Sequence, residues 1–164
     1  MSLAGGGAGA AATWTPPFCT IVAADTAAFS YLSCPRCNVA LPDHSASCFA
    51  CGGQRATPAP ARVYRLVLSV ATHDRVVPVV LFDRAARVLM GCSADELAGL
   101  FAAHPGAARA AAEALRGEMC RIAMRGPGDK KGAAAEALRA VSVVPLRDGF
   151  RPIIDTLRAL YPRS

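Results

Sequence analysis

The stretch that decides the fold is Cys34-Pro-Arg-Cys37, followed after ten residues by Cys48-Phe-Ala-Cys51. Two Cys-x-x-Cys motifs this close together can supply four thiolates to one tetrahedral zinc ion. The two glycines that follow Cys51 let the backbone turn beneath the sulfur, because glycine has no Cβ to clash with it. The spacing therefore predicts a structural zinc site.

Other uses of the four cysteines fit the chain less well. Structural disulfides need an oxidising compartment, but the start of the chain, MSLAGGGAGAAA, lacks the positive segment and apolar core of a secretory signal. A thioredoxin-like redox site needs a Cys-x-x-Cys that opens a helix in a βαβ unit, and that pattern is absent. Residues 1–24 carry no charge, but Gly, Pro, Thr and Ser interrupt them too often for a membrane span.

The length and the charge of the chain limit the number of domains and the kinds of binding partner, but they do not select one partner. The chain has 164 residues and a net charge of +6, which comes from 16 Arg and two Lys against 12 acidic residues. This length allows one domain with its own core. A basic balance favours a phosphate-bearing or acidic partner, although the codon usage of a GC-rich genome also raises the Arg and Ala content.

The hydrophobic pattern predicts a small β-barrel with helices. Alternating or apolar runs indicate six strands, at residues 18–24, 29–33, 63–72, 76–82, 118–125 and 137–145. Helical spacing predicts three helices at 84–90, about 93–104 and 107–115, and a fourth from residue 149 onward. A few short strands, a helix after the third barrel strand and a zinc ribbon in an early connection together favour the OB-fold.

Local signals mark several boundaries. We expect Asp83 to cap the helix 84–90 and Gly91 to end it, and Ser93 to begin the next helix through a capping box. Pro78 cannot donate a ladder hydrogen bond, which indicates a sheet edge or a bulge at that point. The predicted organisation is a disordered Ala/Gly-rich tail at 1–12, an OB-fold domain at 13–148 with a zinc ribbon at 34–55, and a C-terminal helix at 149–164.

From residue 18 onward the chain resembles the C-terminal domain of the replication protein A large subunit, part of the eukaryotic single-strand-binding complex. The resemblance lies in CTIVAADTAAFSYLSCPRCNVAL, the second cysteine motif, YRLVLSV and VVLFDRAARVLMGCSADEL. It implies a mostly β OB-fold barrel with a zinc ribbon between strands 1 and 2, single-stranded DNA on the sheet face, and a nuclear protein. It also implies that zinc is held by four ligands, Cys34, Cys37, Cys48 and Cys51.

The same resemblance guides the choice of nucleic-acid-binding residues. The family usually offers two stacking aromatics on the third strand; Phe82 matches the second, while Pro78 stands near the place of the first. Arginines on outward positions can pair with phosphates, and a lysine pair falls in the loop between strands 4 and 5. The predicted nucleic-acid-binding set is Phe82, Arg65, Arg121, Arg125, Lys130 and Lys131.

The C-terminal helix allows two interpretations. Its apolar stripe comprises Phe150, Ile153, Ile154, Leu157 and Leu160. In the related large subunit this helix joins a three-helix bundle with two smaller subunits, so the stripe is predicted to bind protein partners; alternatively, it folds back over the barrel.

Two functions follow from these expectations. The first is a single-stranded DNA-binding module, with RNA as an open alternative ligand, that acts in replication, repair or recombination. The second is an assembly module with little affinity for nucleic acid. An enzyme is not expected, because a four-thiolate zinc has no open position and no hydrolase, phosphate-loop or nucleophile-elbow motif is present.

Overall fold

The computed structural model describes residues 13–51, 59–126 and 138–162. The predicted tail at 1–12 and the end of the predicted ribbon lie outside these residues. The described elements are β1 (Thr13–Trp14), β2 (Cys19–Asp25), β3 (Ser30–Ser33), β4 (Ala40–Leu41), β5 (Ala61–Ala71), β6 (Val76–Phe82), α1 (Asp83–Met90), α2 (Ala94–Ala103), α3 (Ala107–Leu115), β7 (Met119–Arg125), β8 (Leu138–Pro145) and α4 (Ile153–Leu160). All ten predicted helices and strands are present, with ends shifted by a few residues.

Five of the strands close into a barrel. β2 pairs with β5, β5 with β6 and β7 with β8 in antiparallel ladders, whereas β6 and β8 run parallel. β2 also pairs with β7 through Cys19 and Thr20, so the ladders return to the strand where they began. This order, with one parallel pair, is that of the OB-fold, and the predicted fold class is confirmed.

The barrel core follows the predicted alternation. On β5 the fully buried side chains are Tyr64, Leu66, Leu68 and Val70, and the residues between them point outward. β7 repeats the pattern with Cys120, Ile122 and Met124 inside and Arg121 and Arg125 exposed. Because strand side chains alternate between two faces, the arginines of β7 lie on the outer surface.

Helix α1 begins differently from the sequence expectation. Phe82 occupies the N-cap position, and its side chain makes no capping hydrogen bond. Asp83 lies inside the helix: one carboxylate oxygen accepts from the backbone N–H of Tyr64 at 3.2 Å, and the other accepts from Nε of Arg87 at 2.8 Å. The predicted capping role of Asp83 is therefore wrong, because this carboxylate ties α1 to β5 instead.

The other helix boundaries agree with the sequence. Gly91 ends α1 in the left-handed region, with φ 77°, and donates its N–H to the carbonyl of Arg87. Ser93 caps α2 by accepting from the backbone N–H of Glu96 at 3.1 Å.

In strand β6, Pro78 lies opposite Ser69 of β5 and just before the two residues of β6 that pair with described residues of β8.

The cysteine motifs lie on a small hairpin that extends from the barrel. β3 pairs with β4 and with the beginning of β5, so this hairpin is inserted between the first two barrel strands, as predicted. We refer to β3, β4 and the four motif cysteines as the cysteine ribbon. Cys34 and Cys37 lie between the two strands, and Cys48 and Cys51 follow β4. Among the described residues the ribbon's buried cluster consists of Cys34, Leu41 and Cys48, with half-buried neighbours around them.

The C-terminal helix packs on its own domain. α4 contacts α3 and α1, and the segment before it is tied down by Arg147, which makes two hydrogen bonds to the buried carboxylate of Glu118 at 3.1 and 3.2 Å. Arg158 of α4 also pairs with Glu96 of α2. The helices found among the described residues are all too short or too polar to cross a bilayer.

Candidate metal centre and nucleic-acid interface

The four motif cysteines converge on one point. Their Sγ atoms all lie within 4.8 Å of one another. Cys34 and Cys51 are 3.8 Å apart, Cys37 and Cys48 are 3.6 Å apart, and Cys37 and Cys51 are 4.0 Å apart. None forms a disulfide. A tetrahedral zinc with sulfur ligands at 2.3 Å has sulfur–sulfur edges of about 3.8 Å, so the donor set and its spacing fit this metal.

Local backbone geometry orients the first pair. Cys34 follows β3, and its N–H donates to the carbonyl of Val39 at 3.1 Å, while the N–H of Asn38 donates to the carbonyl of Cys34 at 2.8 Å. Asn38 adopts φ 63° to complete this tight turn, a conformation that asparagine tolerates better than most residues. His44, which lies between the motifs, is exposed and does not belong to the cluster.

The electrostatics of the cluster favour a bound cation. The backbone N–H of Cys37, and then that of Arg36, lower the pKa of the Cys34 thiol to about 6 although burial opposes this. A hydrogen bond to Cys48, followed by burial, raises the pKa of Cys51 to about 12. Four adjacent thiols resist full ionisation because thiolates repel one another, and a divalent cation removes that resistance.

A second group of side chains crosses the outer face of the barrel. Arg65 of β5 lies directly opposite Phe82 of β6, and the guanidinium of Arg139 on β8 lies 5.4 Å from the centre of the Phe82 ring. Arg139 in turn lies opposite Arg125 of β7. We call these four residues the arginine row; it places one aromatic ring between guanidinium groups across four adjacent strands.

The row opens into a basic cavity of about 330 Å³. Three arginines are among its lining residues, Arg84, Arg125 and Arg139, and the others are Phe82, Ala85, Ala140 and Val141. The carboxylates that form ion pairs with arginine in the described chain pair with other residues, namely Arg87, Arg109, Arg147 and Arg158. The cavity therefore presents positive charge that no described carboxylate neutralises.

The structure brings together only part of the predicted nucleic-acid set. Phe82, Arg65 and Arg125 share the row, whereas Arg121 lies opposite Val144 and four residues along β7 from Arg125, about 13 Å at the usual rise of a strand. Lys130 and Lys131 lie outside the described residues. Their assignment to nucleic acid remains a prediction.

Sequence reasoning missed Arg139 and Arg84. Arg139 lies on an exposed position of β8 next to buried Ala140, so the alternation that selected Arg121 and Arg125 could have found it. Arg84 had no comparable signal, because its approach to the cavity depends on the direction in which α1 leaves β6. A further aromatic, Trp14 of β1, lies beneath the guanidinium of Arg75 at 5.0 Å and packs on the barrel core.

Most of the apolar stripe on the C-terminal helix, which was predicted to bind protein partners, packs against the chain's own core. Ile153, Ile154 and Leu157 are buried, Phe150 packs against the core cluster, and Leu160 is 57% exposed. Partner binding by the helix stays a prediction, and in this conformation Leu160 is the member of the stripe that a partner reaches directly.

Comparison with known families identifies the chain. Residues 14–131 match the family model described as the replication factor-A C terminal domain, a match that covers more than two thirds of the sequence. The chain belongs to this family. The resemblance inferred from the sequence, on the cysteine motifs and the strand and helix segments around them, is thereby confirmed. No protein of curated function matches the sequence significantly.

Solved structures of replication protein A share the fold. A chain of a replication protein A heterotrimer bound to single-stranded DNA superposes with a TM-score of 0.68 at 23% identity, over 82% of this chain and 32% of that one. Yeast replication protein A bound to single-stranded DNA gives 0.64 at 18% identity, over 98% of this chain and 89% of that one. The present chain thus spans about a third of the first relative and most of the second.

Proposed function

We propose that this chain binds single-stranded DNA through the arginine row and acts, without catalysis, in DNA replication, repair or recombination. The observation that carries this proposal is the row itself, in which Phe82 lies between Arg65 and Arg139 on the outer face of an OB-fold barrel. Membership of the replication factor-A C-terminal family supports the same function.

The row supplies both kinds of contact that a single strand requires. A base stacked on an aromatic side chain contributes about 1–3 kcal/mol in single-strand-binding proteins, and the half-buried Phe82 ring already carries a guanidinium across its face. Arginines on either side can pair with backbone phosphates. Contacts with phosphates do not depend on the base sequence, so the proposed site is expected to bind a single strand of any sequence.

In this proposal zinc is structural. Cys34, Cys37, Cys48 and Cys51 would hold it, and their spacing matches a closed tetrahedral thiolate shell. A closed shell has no position for a substrate or a water, so the metal's role would be to stabilise the cysteine ribbon beside the barrel. The nucleus is the proposed compartment because replication and repair take place there; imaging of a fluorescent fusion would test it.

Fluorescence anisotropy with labelled oligo-dT tests the DNA-binding function. We expect binding that weakens as salt rises, because neutralising phosphates releases counterions. Phe82→Ala should weaken binding by about 5- to 150-fold, the equivalent of one lost stacking platform. Phe18→Ala is the matched control, since Phe18 is an exposed aromatic residue (47%) that does not line the cavity.

Salt-independent binding, or equal losses for the two variants, would overturn the proposal. An oligo-U arm measured under the same conditions determines whether RNA is bound as well as DNA. A strong preference for RNA would move the function from DNA transactions to RNA transactions while retaining the arginine row as the site.

A second function, assembly with protein partners, has one specific observation in its favour. Leu160 is exposed near a groove of about 500 Å³ between α2 and α4, lined by residues that include Leu100 and Tyr161. Deleting α4 would remove Ile153 and Leu157 from the core cluster and so perturb the barrel and its helices. Leu160→Glu is the sharper test: loss of a nuclease-resistant partner in pull-down mass spectrometry supports assembly, and an unchanged partner set argues against it.

A further inference from the structure

We propose that the basic cavity beside Phe82 binds the terminal phosphate of a single-stranded nucleic acid, so that the protein prefers phosphorylated strand ends. This inference rests on the proposed single-strand-binding function and adds to it a specific ligand group, a phosphomonoester, for one part of the arginine row.

The charge of the cavity exceeds what an internal phosphate needs. Arg84, Arg125 and Arg139 bring three positive charges, and among the residues that the structure describes no carboxylate or histidine lines the cavity. An internal phosphodiester carries one negative charge, whereas a terminal phosphomonoester carries nearly two at neutral pH because its second pKa is about 6. The dianion also offers more acceptor oxygens to guanidinium donors.

The arrangement of the arginines indicates a shared anion. Arg125 and Arg139 occupy directly opposite positions on adjacent strands, a placement that destabilises a sheet when the charges are alike and uncompensated. An anion between them turns that repulsion into attraction. The cation–π contact of Arg139 with Phe82 holds one of the two guanidinium groups at the cavity.

The size and the lining of the cavity suit an end rather than the middle of a strand. Its volume of about 330 Å³ falls at the lower end of the range for small-ligand sites. The first turn of α1 forms one wall through Arg84 and Ala85. A terminal phosphate can enter such a space with its base on Phe82, while a continuing strand would have to leave past this wall.

The experiment compares three labelled oligo-dT strands that differ only at their ends, with a 5′-phosphate, a 3′-phosphate or hydroxyls alone. We expect the phosphorylated strand of one polarity to bind the full chain about tenfold more tightly than the hydroxyl strand. Arg139→Gln should remove this preference. Arg121→Gln should keep it, because Arg121 is also an exposed arginine of the barrel but does not line the cavity.

A pH series provides a readout that a structural defect would not imitate. The preference should shrink as the pH falls from 7.5 to 5.5, since the terminal phosphate loses its second charge near its pKa of about 6 while the arginines stay charged. The hydroxyl strand at each pH gives the reference affinity, which removes any effect of pH on the protein as a whole.

The outcomes separate this inference from the proposed function. Equal affinity for all three strands overturns the terminal-phosphate site and leaves single-strand binding intact. Binding of none of them overturns both. A preference that persists in Arg139→Gln, or that is lost equally in Arg121→Gln, also overturns the assignment to this cavity.

Discussion

The barrel and the cysteine ribbon are joined through β5 but are held together by different means. Among the described residues the barrel and its helices share one cluster of 25 buried hydrophobic side chains, whereas the ribbon has three. Two of those three are cysteines whose sulfurs face a common point. The difference indicates that apolar burial stabilises the barrel, whereas the ribbon, with so small a core, would depend on the metal proposed for its four cysteines.

Removing the metal should have the largest effect. Structural zinc sites bind their ion with about 10–16 kcal/mol in small peptides, and apart from the pairing of β3 with β5 the described part of the ribbon has only a three-residue buried cluster. We expect Cys34→Ser, or chelation of the wild-type chain, to abolish amide-exchange protection in β4 and lower it in β3, while the barrel strands remain protected. Zinc content by mass spectrometry should fall from one ion per chain.

Cys92→Ser is the matched control for that experiment. Cys92 lies outside the cluster and contacts Tyr64, whose hydroxyl donates to the Cys92 carbonyl at 3.0 Å, a bond that the substitution retains. This variant should keep one zinc per chain. If Cys34→Ser also keeps its zinc and its ribbon protection, the contrast between a metal-held ribbon and a core-held barrel is wrong.

A large-to-small substitution in the barrel core should have the opposite result: it should destabilise the barrel and leave the zinc content unchanged. Leu68 is fully buried on β5, so Leu68→Ala is expected to lower the free energy of unfolding by about 2–5 kcal/mol, through lost burial and the cavity left behind. Urea denaturation followed by circular dichroism measures this loss. Zinc content should stay at one per chain below the unfolding transition; loss of zinc in the folded variant would show that the two regions are stabilised together.

The sequence predicted the barrel well because its signals are local and repeated. Alternation on the strands 63–72 and 118–125 placed Leu66, Leu68 and Ile122 inside, and the spacing of the cysteine motifs placed four sulfurs together. These features depend on residues near each other in the chain, and tertiary packing did not alter them.

What the sequence could not predict depends on how distant elements meet. Asp83 looked like a helix cap, but the approach of β5 lets it accept from the N–H of Tyr64. Arg84 and Arg139, 55 positions apart, line one cavity only because α1 and β8 lie on the same side of β6. The burial of Leu157 likewise required knowing that α4 packs on α3.

The joint between α1 and the C-terminal segment offers a smaller test of the barrel's packing. Gly91 has φ 77°, and a Cβ placed there would overlap the Cβ of Pro152 and approach Cγ2 of Ile154 at 3.1 Å. Gly91→Ala should therefore lower the free energy of unfolding by about 2 kcal/mol, from left-handed strain and displaced packing. Thermal unfolding of the zinc-loaded chain measures the effect.

Gly99→Ala is the control for this substitution. Gly99 lies within α2, and a Cβ there would have no neighbour within 4 Å. Alanine should therefore stabilise the helix by about 0.5–1 kcal/mol. A loss of stability in both variants would mean that the close approach of Pro152 to Gly91 is not what makes glycine necessary at that position.

The smallest expected effect is a change in the salt dependence of binding, which tests whether the barrel or the cysteine ribbon contacts phosphates. For single strands the slope of log K against log salt falls by about 0.7 for each phosphate contact removed. Arg65→Gln should lower the slope by that amount, because Arg65 lies in the arginine row opposite Phe82. Arg109→Gln should not change it, since Arg109 lies on α3 and pairs with Glu113 at 3.6 Å.

The same titration on zinc-free Cys34→Ser completes the comparison. If the barrel alone carries the phosphate contacts, unfolding the ribbon leaves the slope at its wild-type value even where overall affinity declines. A slope that falls in Cys34→Ser but not in Arg65→Gln would place the phosphate contacts on the ribbon, and the metal would then maintain the binding surface itself rather than a support beside it.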